Sequence, residues 1–187
     1  MKDLYRGTLV RLSAADPEEL GKTVPAWSRD TEFVRLFGTG PARLHSSRAG
    51  VEFYKKEMGQ ENPTHYWFSI RALDDNRLLG ETDLEIENIA AGEAFIGIGI
   101  YKRDDWGKGY GSDAMRIALR YAFTELNLRR VSLTVFEYNP RAIRSYEKCG
   151  FQIEGRRRAA LLKDGKRWDM IYMGILFDEW KELNNEK

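Results

Sequence analysis

Asp105-Trp106-Gly107-Lys108-Gly109-Tyr110-Gly111-Ser112 is the stretch on which the reading of the chain turns. It follows residues 93–101 (EAFIGIGIY), an almost wholly apolar run that reads as a strand buried on both faces. It precedes a run in which Met115, Ala118, Leu119, Ala122 and Leu126 recur at helical spacing, with Asn127 at the end. A strand therefore passes into a helix through a loop with glycine at alternate positions. Without side-chain bulk the backbone turns tightly and aims several N–H groups at one anion. The helix starting near Ser112 adds its unpaired N–H groups and the positive end of its dipole. A phosphate suits this geometry, with Lys108 either adding charge or pointing to solvent. A tight turn without a ligand is the plain alternative. The dinucleotide fingerprint G-x-G-x-x-G breaks at Ser112, and the P-loop pattern is absent.

The flanking segments place this loop in a mixed architecture. Residues 5–12 alternate as a strand. Asp16-Pro17-Glu18-Glu19 opens a helix with an N-cap, a first-turn proline and a capping-box-like glutamate. Leu20, Val24 and Trp27 continue it, and a second helix is expected over residues 42–58 with Val51, Tyr54 and Met58 on one face. Residues 64–72 and 77–87 read as strands around the turn Asp74-Asp75-Asn76. In the second of these, Leu84 and Ile86 face one way and Asp83, Glu85 and Glu87 the other, with Glu81 in register. Residues 130–138 read as a strand. Asn139-Pro140 then opens a short helix that Gly150 closes. Residues 151–161 and 167–176 form a hairpin around Lys163-Asp164-Gly165, and the last seven residues, KELNNEK, read as a solvated tail. The order is strand, two helices, three strands, helix, strand, helix, two strands. That predicts an α/β fold on a mixed sheet, not a purely doubly wound one.

Composition narrows the chemistry. The 187 residues are 42% hydrophobic and 32% charged, a globular profile able to bury a core without disulfides. Lys plus Arg total 30 against 29 Asp plus Glu, which argues against a general nucleic-acid binder. One Cys and two His, His45 and His65 without ligand spacing, leave no obvious metal site. The N-terminal residues lack an apolar signal core, and no run approaches the length of about 18 apolar residues that a membrane span needs. A cytoplasmic protein without membrane partners is expected.

Two motifs in the second half carry a family likeness. Trp106-Gly107-Lys108-Gly109-Tyr110-Gly111 resembles the phosphate-loop pattern Q/R-x-x-G-x-G/A of the GNAT acetyltransferase superfamily. The glycines match, and the first position is Trp, as in the branch resembling ribosomal-protein-alanine/serine and spermidine acetyltransferases. Asn139-Pro140-Arg141-Ala142-Ile143-Arg144-Ser145-Tyr146-Glu147-Lys148-Cys149-Gly150-Phe151 resembles that branch's N-x-x-A/S-x-x-x-Y-E-K/R-x-G-F. The likeness runs over about residues 77–176 and more weakly through the N-terminal part. It implies a mixed, mostly antiparallel twisted sheet of about seven strands with four helices, splayed at the cofactor site. It also implies one acetyltransferase domain over 1–187. Residues 1–76 would form the acceptor side, 77–176 the acetyl-CoA-binding core and 177–187 the tail.

The likeness further implies acetyl-CoA as co-substrate and direct attack by a primary amine in a ternary complex. The acceptor would be a small-molecule amine or a protein N-terminus, and a homodimer is implied as well. The implied cofactor-binding residues are Ile98, Gly99, Ile100, Trp106, Gly107, Lys108, Gly109, Tyr110, Gly111, Ser112 and Asn139. Gly97 and Gly99 thin the strand where a backbone-like arm would approach, or mark a bulge. Asn139 reads equally as an N-cap.

Tyr146 is the implied general acid for the departing thiolate; a core tyrosine is its other reading. Phenol-to-thiol donation is about 1.5 units uphill, or about 2 kcal/mol. An amine with a pKa near 10 is neutral in only about one part in a thousand at pH 7, so a carboxylate must take its proton. Glu85 is the first candidate and Glu137, near the splay, the second. The aromatic residues Trp27, Phe33, Phe37, Phe53, Tyr54, Tyr66, Trp67 and Phe68 are core or line an acceptor pocket. Arg156-Arg157-Arg158 makes the last hairpin basic, for the cofactor's 3′-phosphate or for solvent. Cys149 reads as inert packing. The competing reading is a non-catalytic acyl-CoA-binding or sensing protein on the same fold.

Overall fold

A computed structural model describes residues 3–59 and 64–185. Its strands are β1 (Val10–Ala14), β2 (His65–Ala72), β3 (Leu78–Asn88), β4 (Glu93–Ile100), β5 (Arg130–Phe136), β6 (Gln152–Lys163) and β7 (Lys166–Leu176). They form one sheet in the order β1-β2-β3-β4-β5-β7-β6. Every neighbouring pair is antiparallel except β4 and β5. That pair is joined by a crossover carrying helix α4 (Tyr110–Thr124), the long connection a parallel pair requires.

The parallel pairing is short. It spans only Glu93↔Arg130, Ala94↔Val131 and Phe95↔Ser132. Beyond Phe95 the two strands part, while β4 stays registered on β3 as far as Gly80↔Ile100. The second half of β4 therefore has one edge without a strand partner. This corrects the expectation that β4 is buried on both faces. Ala94 and Ile96 are buried, whereas Phe95, Gly97, Ile98 and Ile100 are half-buried, the last two beside the opening.

Helices cover both faces. On one side Met115, Ala118, Leu119 and Ala122 of α4 pack with Leu84, Ala94, Ile96, Val131, Leu133 and Ile175. On the other lie α1 (Pro17–Trp27), α2 (Thr31–Phe37) and α3 (Ser47–Met58), whose Leu20, Val24, Phe33 and Tyr54 pack with Tyr101. The caps follow the sequence: the Asp16 side chain accepts from the N–H groups of Glu18 and Glu19, and that of Asn139 accepts from Ala142.

The described residues form six α-helices, not four. The seven-residue α2 is too short to register as a helical period; it is set by Asp30, which accepts from the N–H groups of Glu32 and Phe33. Helix α3 begins at Ser47 rather than residue 42, because Ser46 caps it. The expected tail is helix α6 (Phe177–Asn185), held by Phe177 and Trp180 against Phe123 at ring separations of 5.9 and 5.3 Å. Glu186 and Lys187 lie outside the described residues. The first strand starts at Val10, since residues 5–9 fold back: Gly7 N–H donates to Val10 O, and Leu12 N–H to Tyr5 O.

Asp113 fastens this N-terminal segment to α4. Its buried carboxylate accepts from Thr8 Oγ1 at 3.1 Å, Leu9 N at 2.7 Å and Val10 N at 3.0 Å. Asp113→Ala strands two backbone donors and lowers stability by about 2–4 kcal/mol, read from the midpoint of urea unfolding.

Candidate active site

A cleft of about 300 Å³ opens where β4 and β5 part. Ile98, Gly99 and Ile100 of β4 form one wall. Trp106, Gly107, Gly109, Tyr110, Gly111 and Ser112 form the floor at the start of α4. Helix α5 (Pro140–Glu147) and its flanks supply Asn139, Arg141, Ala142, Arg144, Ser145, Tyr146 and Lys148. Phe33, Leu36 and Phe37 of α2 close the far end. Of the residues expected to bind the cofactor, Lys108 alone is not among the lining; it is exposed.

The loop has the form of an anion cradle. Gly107 and Gly109 take φ of 74° and 90°, the left-handed region that a side chain disfavours. Gly109 is also the N-cap of α4, and no side chain caps that helix. Its first-turn N–H groups are left to a ligand. A carboxylate, Asp105, is buried under the loop, where it would repel an anion. Arg77 offsets it: Nη2 donates to Asp105 at 2.9 Å and approaches the Tyr110 hydroxyl at 3.4 Å.

Helix α5 brings charge that the sequence reading missed. Arg141, Arg144 and Lys148 all reach the cleft, their spacing of three and four placing them on one helical face. The Arg141 guanidinium lies 3.7 Å above the Trp106 ring, a cation–π contact. Trp106 is itself held by its Nε1 donating to Ile100 O at 2.7 Å. The basic hairpin singled out from sequence does not line the cleft; Arg156 on β6 pairs with Glu137 at 2.9 Å and Asp169 at 3.0 Å. Glu137 is thereby engaged, and it also accepts from Asp169 N–H at 2.9 Å. Asn139 caps α5 through Ala142 N–H at 3.2 Å, and its side of the helix start also lines the cleft.

Tyr146 stands in the α5 wall with its ring 6.1 Å from that of Phe151. Burial pushes its phenol up to about 12; Cys149 pushes the same way and Arg141 pulls back. Against a free thiol near 8.5 the gap widens to about 3.5 units. A thiol held in the same dry cleft rises as well, which narrows it again.

The acidic stripe of β3 divides by depth. Glu81 lies opposite Gly99, Asp83 opposite Gly97 and Glu85 opposite Phe95. Glu85 is thus about 13 Å down the strand from Glu81, exposed and outside the cleft lining. Glu81 is only 4% exposed. Its Oε1 accepts from the Tyr54 hydroxyl at 2.8 Å, while Oε2 has no hydrogen-bond partner. Burial drives this carboxyl up to about 7; Tyr54 opposes the rise and the charge of Asp83 adds to it. Alternation along a strand tells which face a residue occupies. It does not tell how deeply that face is covered, so Glu81 carried no separate signal.

A cleft that pairs an open strand edge with an uncapped, glycine-led helix start defines proteins that hold a phosphate-bearing ligand extended along a strand. Comparison with known proteins sharpens that class. Residues 6–152 match the family model described as Acetyltransferase (GNAT) domain, and the chain belongs to this family. It is an acetyltransferase with acetyl-CoA as its co-substrate. The SPbeta prophage-derived uncharacterized N-acetyltransferase YokL of Bacillus subtilis (strain 168) is 37% identical over 184 residues, covering 97% of each chain. The putative ribosomal N-acetyltransferase YdaF of the same organism is 34% identical over 109 residues, 58% of this chain and 59% of that one. Among solved structures, the spermidine N-acetyltransferase from Vibrio cholerae in complex with CoA and spermine aligns with a TM-score of 0.80. It is 25% identical, covering 92% of this chain and 98% of that one.

The elevated carboxyl of Glu81 has a sign that stability measurements can read. Its folded value, about 7, lies above the ordinary 4.5, so the folded state binds more protons between those values. Wild-type stability therefore declines as pH rises through that window. Glu81→Gln removes the decline: relative to wild type it gains about 1–3 kcal/mol on going from pH 4.5 to pH 8, measured by urea unfolding at both.

Proposed function

We propose that the chain transfers an acetyl group from acetyl-CoA to a primary amine by direct attack, with both substrates bound together. The observation that carries this is the meeting of the glycine-led start of α4, the unpaired edge of β4 and Tyr146 in one cleft. The cradle fits a pyrophosphate: nothing lies within 4 Å of where a Cβ on Gly107 would stand. N–H groups from Gly109 to Ser112 hold the phosphates, with Arg141, Arg144 and Lys148 flanking them. The free edge of Ile98–Ile100 pairs with the pantetheine arm as a further strand would. One of its N–H groups polarises the thioester carbonyl, a preorganised donor where negative charge develops. Tyr146 gives its proton to the departing sulfur.

The acceptor approaches from the aromatic side, past Phe33 and Phe37 of α2. The Vibrio relative is named for spermidine and the Bacillus relative YdaF for a ribosomal target. A small amine and a protein N-terminus are accordingly the acceptors to compare. A purely acyl-CoA-sensing role is disfavoured by the presence of Tyr146 in the cleft wall, which binding alone does not call for.

The test is release of free CoA from acetyl-CoA against a panel of spermidine, amino acids, peptides with free N-termini and aminoglycosides. The wild-type protein turns over at least one of these. Tyr146→Phe keeps its affinity for acetyl-CoA by calorimetry and loses about 10²–10⁴-fold in kcat. Undiminished turnover in that variant would remove the acid role from Tyr146.

A further inference from the structure

The basic hairpin of β6 and β7 has no part in the cleft, yet it walls a second cavity. That cavity, of about 410 Å³, lies between α2 and the hairpin turn. Arg35 and Leu36 stand on one side of it, and Tyr138, Lys163, Asp164 and Trp168 on the other. Leu36 lines the cleft as well, so the two spaces meet at that side chain. The walls are tied together. The Tyr138 hydroxyl donates to Arg35 O at 2.7 Å, Lys163 Nζ donates to Gly40 O at 2.6 Å, and Arg35 pairs with Asp164. The rings of Tyr138 and Trp168 meet edge to face, with centroids 5.3 Å apart.

The acids of this cavity are already matched, and its cations are not. Asp164 is taken by Arg35, and Glu32 by Arg103 Nη1 at 2.6 Å. Lys163 and Lys166 are register partners across the hairpin, Leu161 is the partner of Trp168, and Arg157 is that of Met170. Cross-strand partners share a face, and Lys166, Trp168 and Met170 alternate along β7. Arg157, Lys163 and Lys166 therefore stand on the face of the hairpin that carries Trp168 into the cavity. Among the described residues none of these three cations has a carboxylate partner. Like charges directly opposite each other destabilise a sheet, and an anion beside Lys163 and Lys166 relieves their repulsion.

This arrangement selects among acceptors. A polyamine would bring further cations to a cationic face, and the β3 carboxylates Glu81, Asp83 and Glu85 line neither cavity. To place its amine in the cleft and a carboxylate at Lys163, a ligand must run past Leu36 through both spaces. An extended chain advances about 3.4 Å per residue, so roughly two or three residues are engaged. A free amino acid reaches only one of the two spaces. The Tyr138 and Trp168 rings offer apolar cover to such a chain.

We propose that the second cavity and the cationic face of the hairpin receive the N-terminal segment of an acidic peptide, whose α-amine enters the cleft. This rests on the acetyl-transfer reading above and names the acceptor for it. Leu36 and the two rings hold the first residues, and Lys163, Lys166 and Arg157 meet the carboxylates that follow.

The experiment compares tetrapeptides with a free N-terminal serine followed by three aspartates, three alanines or three lysines, together with free aspartate and spermidine. CoA release from acetyl-CoA is the readout. The acidic tetrapeptide exceeds the alanine one by about 10-fold in kcat/KM and the lysine one by about 100-fold, mostly through KM, and high KCl shrinks both margins. Reversing two charges, Lys163→Glu with Lys166→Glu, inverts the order of the three peptides, whereas lost packing lowers all three alike. Calorimetric titration with acetyl-CoA checks that the variant is folded and loads its co-substrate. Equal use of acidic and neutral peptides overturns the proposal, as does preference for the lysine peptide, for spermidine or for free aspartate, or a variant that keeps the wild-type order. If no amine is turned over, the transfer reading falls, and calorimetric binding of the same peptides to the CoA-loaded protein decides the docking face by itself. Binding that ranks the acidic peptide first and inverts in the variant supports it; binding without that order, or none, overturns it.

Discussion

The structure depends on where one strand pairing stops. Had β4 and β5 stayed hydrogen-bonded along their length, the sheet would be continuous and closed to a ligand. Pairing ends at Phe95, while β4 runs on along β3 to Ile100 and β5 runs on along β7 to Phe136. Backbone groups on the free edge then need partners, and an extended ligand can supply them without any side chain being specialised for the purpose. The helix start at the mouth of the same gap supplies the electrostatics. Cleft and anion site are thus two results of one interruption.

Charge is arranged around that gap in layers. Asp105 would oppose a phosphate, and Arg77 behind it removes the opposition. The Arg141 guanidinium rests over the Trp106 ring, so its cation stands at the cleft before a ligand arrives. On the other face of the sheet the logic reverses. Glu81 is kept in an environment that resists its ionisation. One sheet separates the glycine-led helix start and its cations from a buried carboxyl, and the overall charge stays near neutral.

Much of this was legible in the residues. The glycine loop, the Asn139-Pro140 helix start and the Gly150 stop are local backbone demands, and local demands are written locally. Depth was not legible. Glu81, Asp83 and Glu85 look alike along an alternating strand, and only the cover supplied by α3 and the register with Gly99 separates them. Helix α2 escaped notice because seven residues offer barely two turns of periodicity. The cations of α5 sat within a recognised motif, but which of them faces the cleft depends on how that helix packs. Lys108 shows the converse: a charged residue inside the loop motif that turns to solvent.

The C-terminal helix has a consequence for the wall of the cleft. Gly150, at φ of 99°, closes the turn after α5, and a Cβ there would meet Leu183 of α6 at 2.4 Å. The wall bearing Tyr146 is therefore braced by residues made some forty positions later. β7, which lies between β5 and β6, ends at Leu176 directly before α6, so the strand that closes the sheet and the helix that braces this wall come from one stretch of chain. The wall bearing Tyr146 thus rests on Ile175 of β7 and Leu183 of α6, both far along the chain from the loop it faces.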